Sequence, residues 1–471
     1  MSHNLGSGQE ETYSKGLCGS IVAADQTRSA GTLNITIHPG ALSGEIVAPS
    51  SKSEAHRVLI CAAFAPGVTD VTCTTSSADI DATVSCLEAL GARVARTRDG
   101  FRVRPVPGTS ATDNLPEPRR AATLDCGESG STLRFMLPVV CSLGCDASLT
   151  GRGRLPERPL SPLYEQLVEH GAELSPQGSL PLEVRGRIRA GRYELAGNVS
   201  SQYVSGLMLA APLLRAPVEV VVTEPVESRP YIDLTVSVLR AFGVGVSRTR
   251  GVSESGAPAL VYDVSASDGL ASPGSLVVGG DWSNAAFWLV AGALSDRGVA
   301  VRGLDASSAQ GDRAILAALS LLGAHVLRTP SGAAVRPTEL KGATLDVSDC
   351  PDLVPPLAAA AALAEGTTRL VGAARLRLKE SDRIETVSAA LRALGASVET
   401  TEDGLVITGS RTLRGGTVDS ANDHRIAMMA AILATRCDAP TTILGAECVE
   451  KSYPRFFDDL ASLGGRVERE A

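Results

Sequence analysis

The sequence is poor in aromatic residues, which make up 3% of its 471 residues, whereas 44% are hydrophobic. Its cores must therefore be built mainly from Ala, Val and Leu, which suits closely packed layers of helices and sheets. The ten cysteines include no C-x-x-C pair, and several lie in apolar runs. We therefore expect reduced, buried thiols and no metal site formed by cysteine.

Long apolar runs and targeting signals are also lacking. The longest apolar run, residues 353–364, contains two prolines and falls short of the about 20 residues that span a bilayer. Residues 1–30 have neither the apolar core of a signal peptide nor the Arg-rich composition of a transit peptide. A net charge of −8 disfavours binding to nucleic acid or to a membrane surface. We predict a cytoplasmic protein in which residues 1–30 are a disordered extension.

An internal repeat dominates the rest of the chain. The pattern L-R-A-L-G-A-S-V at Leu391–Val398 occurs six times, with starts separated by 80, 72, 80, 72 and 69 residues. Its leucines complete an apolar helix face, its glycine suits the left-handed position after a helix, and its last residue opens a strand. Six copies at a near-constant period predict six β/α modules. The other copies begin at Leu87, Leu167, Leu239, Leu319 and Leu460.

A long run of small apolar residues lies 36–41 residues before each copy and opens with a polar cluster. We expect buried helices with Ser, Asp or Asn caps. The motifs S-P-G and G-G near residues 272–280 interrupt the pattern after three modules. We predict two domains of three modules each, residues 52–276 and residues 31–51 plus 277–471. The runs begin at Ser51, Ser129, Ser200, Asp281, Cys350 and Asn422.

The polar starts of these helices predict a site for small polyanions. Helix N-termini present free N–H groups and a positive dipole end, and Lys52, Arg57, Arg134 and Arg425 add cations there. If the modules of each half surround a pseudo-threefold axis, these ends converge. Ordinary capping explains any single helix start, but the coincidence of six favours a site.

The loop L-R-L-K-E-S-D-R places Glu380 between Lys379 and Arg383. This arrangement is either a structural ion-pair cluster, which composition alone favours, or a proton donor or acceptor beside an anion site. Asp352 opens another apolar helix, where an N-cap role needs no functional explanation.

Eight motifs occur in an order that resembles the 5-enolpyruvylshikimate-3-phosphate synthase family of enolpyruvyl transferases. Each motif is weak alone, but together they extend the resemblance from about residue 31 to the end of the chain. The motifs are S-K-S-x-x-x-R (51–57), G-x-x-G-[ST]-x-x-R (127–134), G-x-x-R-x-x-x-R-P (151–159), S-S-Q (200–202), S-R-P-Y (228–231), L-K-E-S-D-R (378–383), N-D-H-R (422–425) and K-S-Y-P (451–454).

The resemblance implies an α/β fold, a two-domain inside-out α/β barrel with three modules per domain. It also implies transfer of the carboxyvinyl group of phosphoenolpyruvate to the 5-hydroxyl of shikimate 3-phosphate, with release of phosphate. The reaction would proceed by addition and elimination through a tetrahedral intermediate, in aromatic amino acid biosynthesis towards chorismate. No metal or organic cofactor, no nucleic acid and no membrane would take part, and a monomer is expected.

The resemblance also assigns residues to roles. Asp352 would accept the 5-hydroxyl proton, Glu380 would protonate the vinyl methylene and later remove a proton, and Lys52 and Lys451 would assist. The shikimate 3-phosphate site would consist of Lys52, Ser53, Arg57, Ser200, Ser201, Gln202, Ser228, Tyr231, Asp352 and Lys379. The phosphoenolpyruvate site would consist of Lys52, Gly130, Arg154, Gln202, Arg383, Arg425 and Lys451.

Two departures from the family pattern and two rival functions stay open at this stage. Glu128 and Ser129 stand where the best-known members have N-A, which leaves glyphosate sensitivity open, and the role of Arg375 is unassigned. A UDP-N-acetylglucosamine enolpyruvyl transferase is disfavoured because residues 151–158 lack its cysteine. A nucleic-acid clamp is disfavoured by the net charge of −8.

Overall fold

The computed structural model describes residues 33–109, 116–119, 121–265 and 269–470. The predicted disordered extension, residues 1–30, lies outside these residues. In the described part the strands are short, and many alternate between buried and exposed positions.

The strands in chain order are β1 (Asn34–His38), β2 (Gly44–Val47), β3 (Thr69–Thr72), β4 (Arg93–Thr97), β5 (Gly100–Arg104), β6 (Ala122–Asp125), β7 (Ala147–Thr150), β8 (Ala172–Leu174), β9 (Leu182–Gly186), β10 (Arg192–Ala196), β11 (Val218–Thr223), β12 (Gly245–Val252), β13 (Pro258–Ser265), β14 (Ser275–Val277), β15 (Val299–Arg302), β16 (His325–Thr329), β17 (Gly332–Arg336), β18 (Thr344–Asp346), β19 (Thr367–Val371), β20 (Ser397–Thr400), β21 (Leu405–Thr408), β22 (Gly416–Asp419), β23 (Thr441–Leu444) and β24 (Arg466–Glu470). The α-helices are α1 (Lys52–Phe64), α2 (Ala78–Ala89), α3 (Gly130–Leu143), α4 (Leu163–Glu169), α5 (Ser201–Ala210), α6 (Arg229–Ala241), α7 (Trp282–Leu294), α8 (Ile315–Leu321), α9 (Val354–Ala362), α10 (Arg383–Ala393), α11 (His424–Ala434) and α12 (Phe456–Ser462). Short 3-10 helices lie at Leu155–Glu157, Ala211–Leu214, Gly311–Ala314, Pro351–Leu353, Ala374–Leu378 and Ala446–Lys451.

These strands form six four-stranded sheets within the described residues, and all six share one pairing pattern. Each sheet contains one parallel pair followed by two antiparallel pairs. The predicted six-fold repeat is therefore present in the topology. The strand orders are β14-β3-β5-β4, β6-β7-β9-β8, β10-β11-β13-β12, β2-β15-β17-β16, β18-β19-β21-β20 and β22-β23-β1-β24.

The glycine of the repeated eight-residue pattern explains the turn that ends each module. All six of these glycines have φ between +81° and +111°, which side-chain-bearing residues rarely adopt. In the copy at Leu391–Val398, Leu391 is buried at the end of α10 and β20 begins two residues after Gly395. The six glycines are Gly91, Gly171, Gly243, Gly323, Gly395 and Gly464.

The apolar helices are buried along almost their whole length, as predicted from their composition. Helices α1, α3 and α5 contact one another, and α7, α9 and α11 do the same. Ser51, Ser129, Ser200 and Asp281 cap their helices through side-chain oxygens. The last run differs slightly from expectation, because Asp423 rather than Asn422 caps α11.

Two large hydrophobic cores divide the described chain. The first core runs from Ala55 to Val278, and the second core combines Ile35–Ala48 with Trp282–Leu463. The chain passes between them twice, after β2 and after β14. The nine described cysteines are free and buried, in agreement with the expectation from composition. Over the same described residues, no helix is both long and apolar enough to cross a membrane.

Candidate active site

The starts of the internal helices from both cores converge on one polar pocket. The lining includes Ser53, Gly130, Gln202, Ser283 and Arg425, which begin five of these helices. Among the described residues, the lining contains eight cationic side chains and four carboxylates, although the chain carries a net charge of −8. The pocket is therefore suited to small polyanions. The cations are Lys52, Arg57, Arg134, Arg158, Arg375, Lys379, Arg383 and Arg425, and the carboxylates are Asp79, Asp281, Asp352 and Glu380.

Asp352 lies among three cations and does not cap a helix. Its Oδ1 atom is 2.8 Å from Arg383 Nη1 and 3.5 Å from Lys379 Nζ, and its Oδ2 atom is 3.1 Å from Arg425 Nη2. The expectation that an N-cap role explains Asp352 is therefore wrong. Asp352 sits within the 3-10 helix before α9, which has no side-chain cap. Burial opposes ionisation of Asp352, but Arg425, Lys379 and Arg383 outweigh burial and lower its pKa.

Glu380 occupies a similar environment on the other amino group of Arg383. Its Oε2 atom accepts a hydrogen bond of 2.6 Å from Arg383 Nη2, and its Oε1 atom is 3.9 Å from Arg158 Nη1. Burial would raise the pKa of Glu380, but Arg383, Arg158 and His424 together hold it well below its usual value. Glu380 and Asp352 are therefore both ionised at neutral pH in the unliganded pocket.

Arg383 connects these two carboxylates to the start of α11. Its Nε atom donates to Asp423 Oδ2 at 2.7 Å, and its side chain is 2% exposed. Burial disfavours the charged guanidinium, but Asp423, Glu380 and Asp352 reverse this effect and raise its pKa. Asp423 also accepts a hydrogen bond from the backbone N–H of Arg425. Asp423 therefore orients the Arg383 guanidinium and caps α11 at the same time, and the first of these roles was not evident from the motif N-D-H-R.

A group of hydroxyl and amide side chains lines the opposite wall. The structure brings Ser53, Ser200, Ser201, Ser228 and Tyr231 into the pocket, as the resemblance implied.

Gln202 and Arg57, also predicted for this wall, are held by specific hydrogen bonds. Gln202 accepts from Arg134 Nη1 at 2.7 Å and donates to Ser131 at 2.9 Å. Burial lowers the pKa of Arg57 to about 10, so Arg57 stays cationic at neutral pH. Arg134 is thus a further residue of this wall, although its sequence context indicated only a cation at the start of a helix.

Arg154 does not line the pocket, so the structure lends no support to its predicted place at the phosphoenolpyruvate site. Its Nε atom lies 3.6 Å from Glu157, and its side chain is 47% exposed. Arg158, four residues later, lines the pocket with a side chain that is 7% exposed. The guanidinium of Arg158 lies so close to Gly130 that a Cβ there would be 2.4 Å from Nη1. The motif contains both arginines, and its spacing alone did not distinguish them.

Lys451 also lies outside the lining, so its predicted place beside the substrates finds no support in the pocket geometry. Its Nζ atom donates to Glu128 Oε2 and to the backbone oxygen of Asn422, both at 2.7 Å. Asn422 Nδ2 donates to the same Glu128 oxygen at 2.9 Å. Glu128 belongs to the loop before α3, so this group joins the two cores at the rim. The neighbour of Lys451, Ser452, does line the pocket.

Arg375 and Asp312 make contacts at the pocket that could not be predicted from the sequence. Arg375 lines the pocket, donates to Ser228 Oγ at 2.8 Å and forms an ion pair with Glu227. Asp312 accepts a hydrogen bond of 2.7 Å from the Tyr231 hydroxyl. Neither contact could be read from spacing, because each joins residues more than 80 positions apart.

Lys52 lines the pocket and donates to Asp79 Oδ2 at 2.8 Å. The remaining predicted residue, Lys379, lies beside Asp352 as described above. Within the described ranges, no three His, Cys, Asp or Glu side chains are grouped as metal ligands would be.

A family model described as EPSP synthase (3-phosphoshikimate 1-carboxyvinyltransferase) matches residues 37–460. The chain belongs to the EPSP synthase family. A 3-phosphoshikimate 1-carboxyvinyltransferase of Clostridium kluyveri is 39% identical over 441 residues, which cover 92% of this chain and 98% of that protein. One from Clostridium beijerinckii is 38% identical over 439 residues, with the same coverage of both chains.

Solved structures confirm the predicted EPSP synthase fold. The EPSP synthase of Acinetobacter baumannii is similar with a TM-score of 0.76 and 28% identity, over 93% of this chain and 100% of that one. The enolpyruvyl transferase NikO of Streptomyces tendae has a TM-score of 0.70 at 18% identity, over 93% of this chain and 99% of that one, and shows the shared fold alone.

Proposed function

We infer that this chain transfers the carboxyvinyl group of phosphoenolpyruvate to the 5-hydroxyl of shikimate 3-phosphate and releases phosphate. Membership of the EPSP synthase family supports this activity, as do the names of relatives at 36–39% identity over most of the chain. The observation that carries it is the pocket in which eight cations surround Asp352 and Glu380. Two substrates that each carry a phosphate and a carboxylate require such an excess of positive charge.

In the addition step, the 5-hydroxyl oxygen bonds to C2 of phosphoenolpyruvate while C3 gains a proton. The hydroxyl must lose a proton and C3 must receive one, so a base and an acid are needed on separate elements. We assign the base to Asp352 and the acid to Glu380. Binding of two polyanions offsets the cations around Glu380 and raises its pKa, which allows Glu380 to hold a proton.

In the elimination step, the bond between C2 and the phosphate oxygen breaks and C3 loses a proton to Glu380. Arg383 and Arg425 are assigned to bind the carboxylate and to stabilise the negative charge that develops on the leaving phosphate. Arg158 and the start of α3 at Gly130 provide a second group of anion contacts. Arg158 thus replaces Arg154 in the assignment, and Lys451 would reach the substrates only after it leaves Glu128.

The shikimate 3-phosphate side is assigned to the wall of hydroxyl and amide groups. Its phosphate would be bound by serine hydroxyls and its carboxylate by Arg57, with Lys52 close to both substrates. We add Arg375 to this side because it contacts Ser228. The full set is Lys52, Ser53, Arg57, Ser200, Ser201, Gln202, Ser228, Tyr231, Asp352, Arg375 and Lys379.

We further propose that the two cores correspond to two domains that close over the substrates. The predicted division at residues 52–276 and 31–51 plus 277–471 is supported by the two hydrophobic cores. Polar contacts across the pocket, such as Tyr231 with Asp352 and Glu128 with Lys451, fit a closed arrangement. A cytoplasmic monomer that needs no cofactor stays our prediction.

Release of phosphate from phosphoenolpyruvate, measured with each acceptor in turn, tests this function. We expect release with shikimate 3-phosphate and none with UDP-N-acetylglucosamine or without acceptor. Release with UDP-N-acetylglucosamine alone would replace the proposal with the rival transferase. An Asp352→Asn variant serves as the control, because its loss of activity assigns the signal to this pocket.

A further inference from the structure

Asp312 is a buried carboxyl group directly behind the pocket wall. It lies in the 3-10 helix Gly311–Ala314 and is 2% exposed. The Tyr231 hydroxyl donates to Asp312 Oδ2 at 2.7 Å and lies 3.3 Å from Asp352 Oδ2. Tyr231 itself lines the pocket. One hydroxyl group therefore bridges Asp312 and the carboxylate assigned as the base.

The geometry of this bridge depends on the protonation state of Asp352. Tyrosine has one hydroxyl proton, and the shorter contact places that proton on the Asp312 side. When Asp352 is ionised, two oxygen atoms without a shared proton face each other across 3.3 Å. When Asp352 gains a proton, it can donate that proton to the tyrosine oxygen. A continuous chain of hydrogen bonds then runs from Asp352 through Tyr231 to Asp312.

Asp312 has a higher affinity for a proton than Asp352 has. Burial and repulsion by Asp352 raise the pKa of Asp312 to about 7, against the opposing effect of Arg425. Asp352, in contrast, is contacted by three cations that lower its pKa. A base with a lowered pKa holds a proton poorly, so the proton taken from the acceptor needs another location. Asp312 is the neighbour with the higher proton affinity.

We propose that Asp312 stores the proton that leaves the acceptor hydroxyl, and that this proton moves from Asp352 through the Tyr231 hydroxyl. This inference rests on the proposed assignment of Asp352 as the base. Asp312 does not touch substrate and acts through Tyr231.

The proton transfer is balanced in both steps. During addition, the acceptor O–H bond breaks as its oxygen bonds to C2, and the proton moves to Asp352 Oδ2. Asp352 then donates to the tyrosine oxygen while the tyrosine proton moves to Asp312 Oδ2, so Tyr231 stays neutral and Asp352 returns to the carboxylate form. During elimination, the proton returns by the same route and leaves on the released phosphate.

The charged groups around Asp312 come from several elements. Tyr231 approaches from α6, Asp352 from the 3-10 helix before α9, Arg425 from α11, and Asp281 from the start of α7. Cys350 also faces this cluster, and burial raises the pKa of its thiol, so it stays uncharged at neutral pH. The Oδ1 atom of Asp312 is buried and, within the described part of the chain, has no hydrogen-bond partner. This oxygen gains no stabilisation of a negative charge, which favours the protonated form.

The Asp312→Asn variant tests the proposal because asparagine has the same shape but cannot accept this proton. We expect kcat to fall by about 10-fold or more, with both KM values within about two-fold. In the wild type, kcat should also fall at acidic pH as Asp312 becomes protonated before turnover. The variant should lose this acid limb of the pH profile. Retention of the acid limb by a folded Asp312→Asn variant would overturn the proposal.

Tyr231→Phe provides an independent test through the relay itself. It removes the hydroxyl but keeps both carboxyl groups, so the acid limb should disappear here as well. The double variant should be no slower than the slower single variant, because both changes cut one path. Multiplicative losses in kcat would contradict a shared path. If Asp312→Asn does not fold, the pH profile of Tyr231→Phe decides the question.

A matched control variant tests the assignment to Asp312, whereas wild-type turnover tests the proposed function separately. Glu54 is a partly buried carboxyl whose pKa is also raised, chiefly by desolvation, but its hydrogen bond comes from the backbone N–H of Gly279 and not from Tyr231. Glu54→Gln should keep the acid limb, and loss of the limb in this control would refute the assignment to Asp312. Absence of wild-type turnover with shikimate 3-phosphate would instead refute the function, before any variant is compared.

Discussion

Replacement of Arg158 by glutamine tests the anion site that we propose. The Arg158 side chain is 7% exposed, packs against Gly130 and lies 3.9 Å from Glu380. It can therefore donate to a substrate anion in a water-poor pocket. Loss of a hydrogen bond between charged groups costs about 1.5–3 kcal/mol, which corresponds to roughly a 10- to 150-fold rise in the KM for phosphoenolpyruvate.

The assay is phosphate release with one substrate varied while the other is saturating. The matched control is Arg154→Gln, the same chemical change four residues earlier on a half-exposed side chain. We expect Arg154→Gln to change either KM by less than about two-fold, since exposed ion pairs contribute little. Similar effects of both variants, or a larger effect of Arg154→Gln, would refute the assignment based on geometry.

Three further changes test other parts of the site and fold. Gly130→Ala should raise the KM for phosphoenolpyruvate more than that for shikimate 3-phosphate, because the new Cβ displaces the Arg158 guanidinium; equal effects would mean a purely structural loop. Glu380→Gln should lower turnover by about 10² or more with binding changed only a few-fold, and unchanged turnover would remove Glu380 from the mechanism. Burial lowers the pKa of His56 well below its usual value. At acidic pH this histidine is therefore protonated in the unfolded chain but not in the folded protein. The free energy of unfolding should decrease as pH falls below about 6.5, by at most about 1.4 kcal/mol per pH unit. His56→Gln should reduce that slope in denaturant unfolding at pH 7 and 5, and an unchanged slope would exclude this histidine as its source.

The architecture could be predicted because local rules act six times on the same pattern. Gly91 and Gly395 sit 304 residues apart, yet both adopt the left-handed conformation that ends a helix, since each follows the same leucine spacing. Helix caps also depend on neighbouring residues alone. Ser51 and Ser129 stand in the polar clusters that precede two apolar runs, and both cap the helices that follow. Repetition turned weak local signals into a reliable prediction of the modules.

The contacts within the site could be predicted only in part, because they depend on distances between modules. Arg154 and Arg158 satisfy the same motif, and only packing against Gly130 distinguishes them. Asp352 looked like a cap from its position before an apolar helix, but Arg383 at the start of α10 and Arg425 from the next module contact its carboxylate. Residue types in the motifs therefore predicted most of the residues that meet in the pocket, whereas the charge partners of these residues required the assembled fold.

The ion pair of Lys451 could not be predicted from its motif either. Its motif placed it with the substrates, but Glu128 from the other core takes its ammonium group. Glu128 stands at a position where the family pattern varies, so the motif that contains Lys451 carried no information about this partner. Pairing across the two cores is thus decided by which side chains face each other at the rim.

The proposed transfer to shikimate 3-phosphate is tested most directly by identifying the product formed from phosphoenolpyruvate labelled with carbon-13 at C2. With shikimate 3-phosphate present, we expect an enol ether carbon attached to the acceptor oxygen and one phosphate released per ether formed. Asp352→Asn should abolish both signals. Phosphate released without an enol ether would refute the transfer, and an ether formed equally well by Asp352→Asn would refute the role of this pocket.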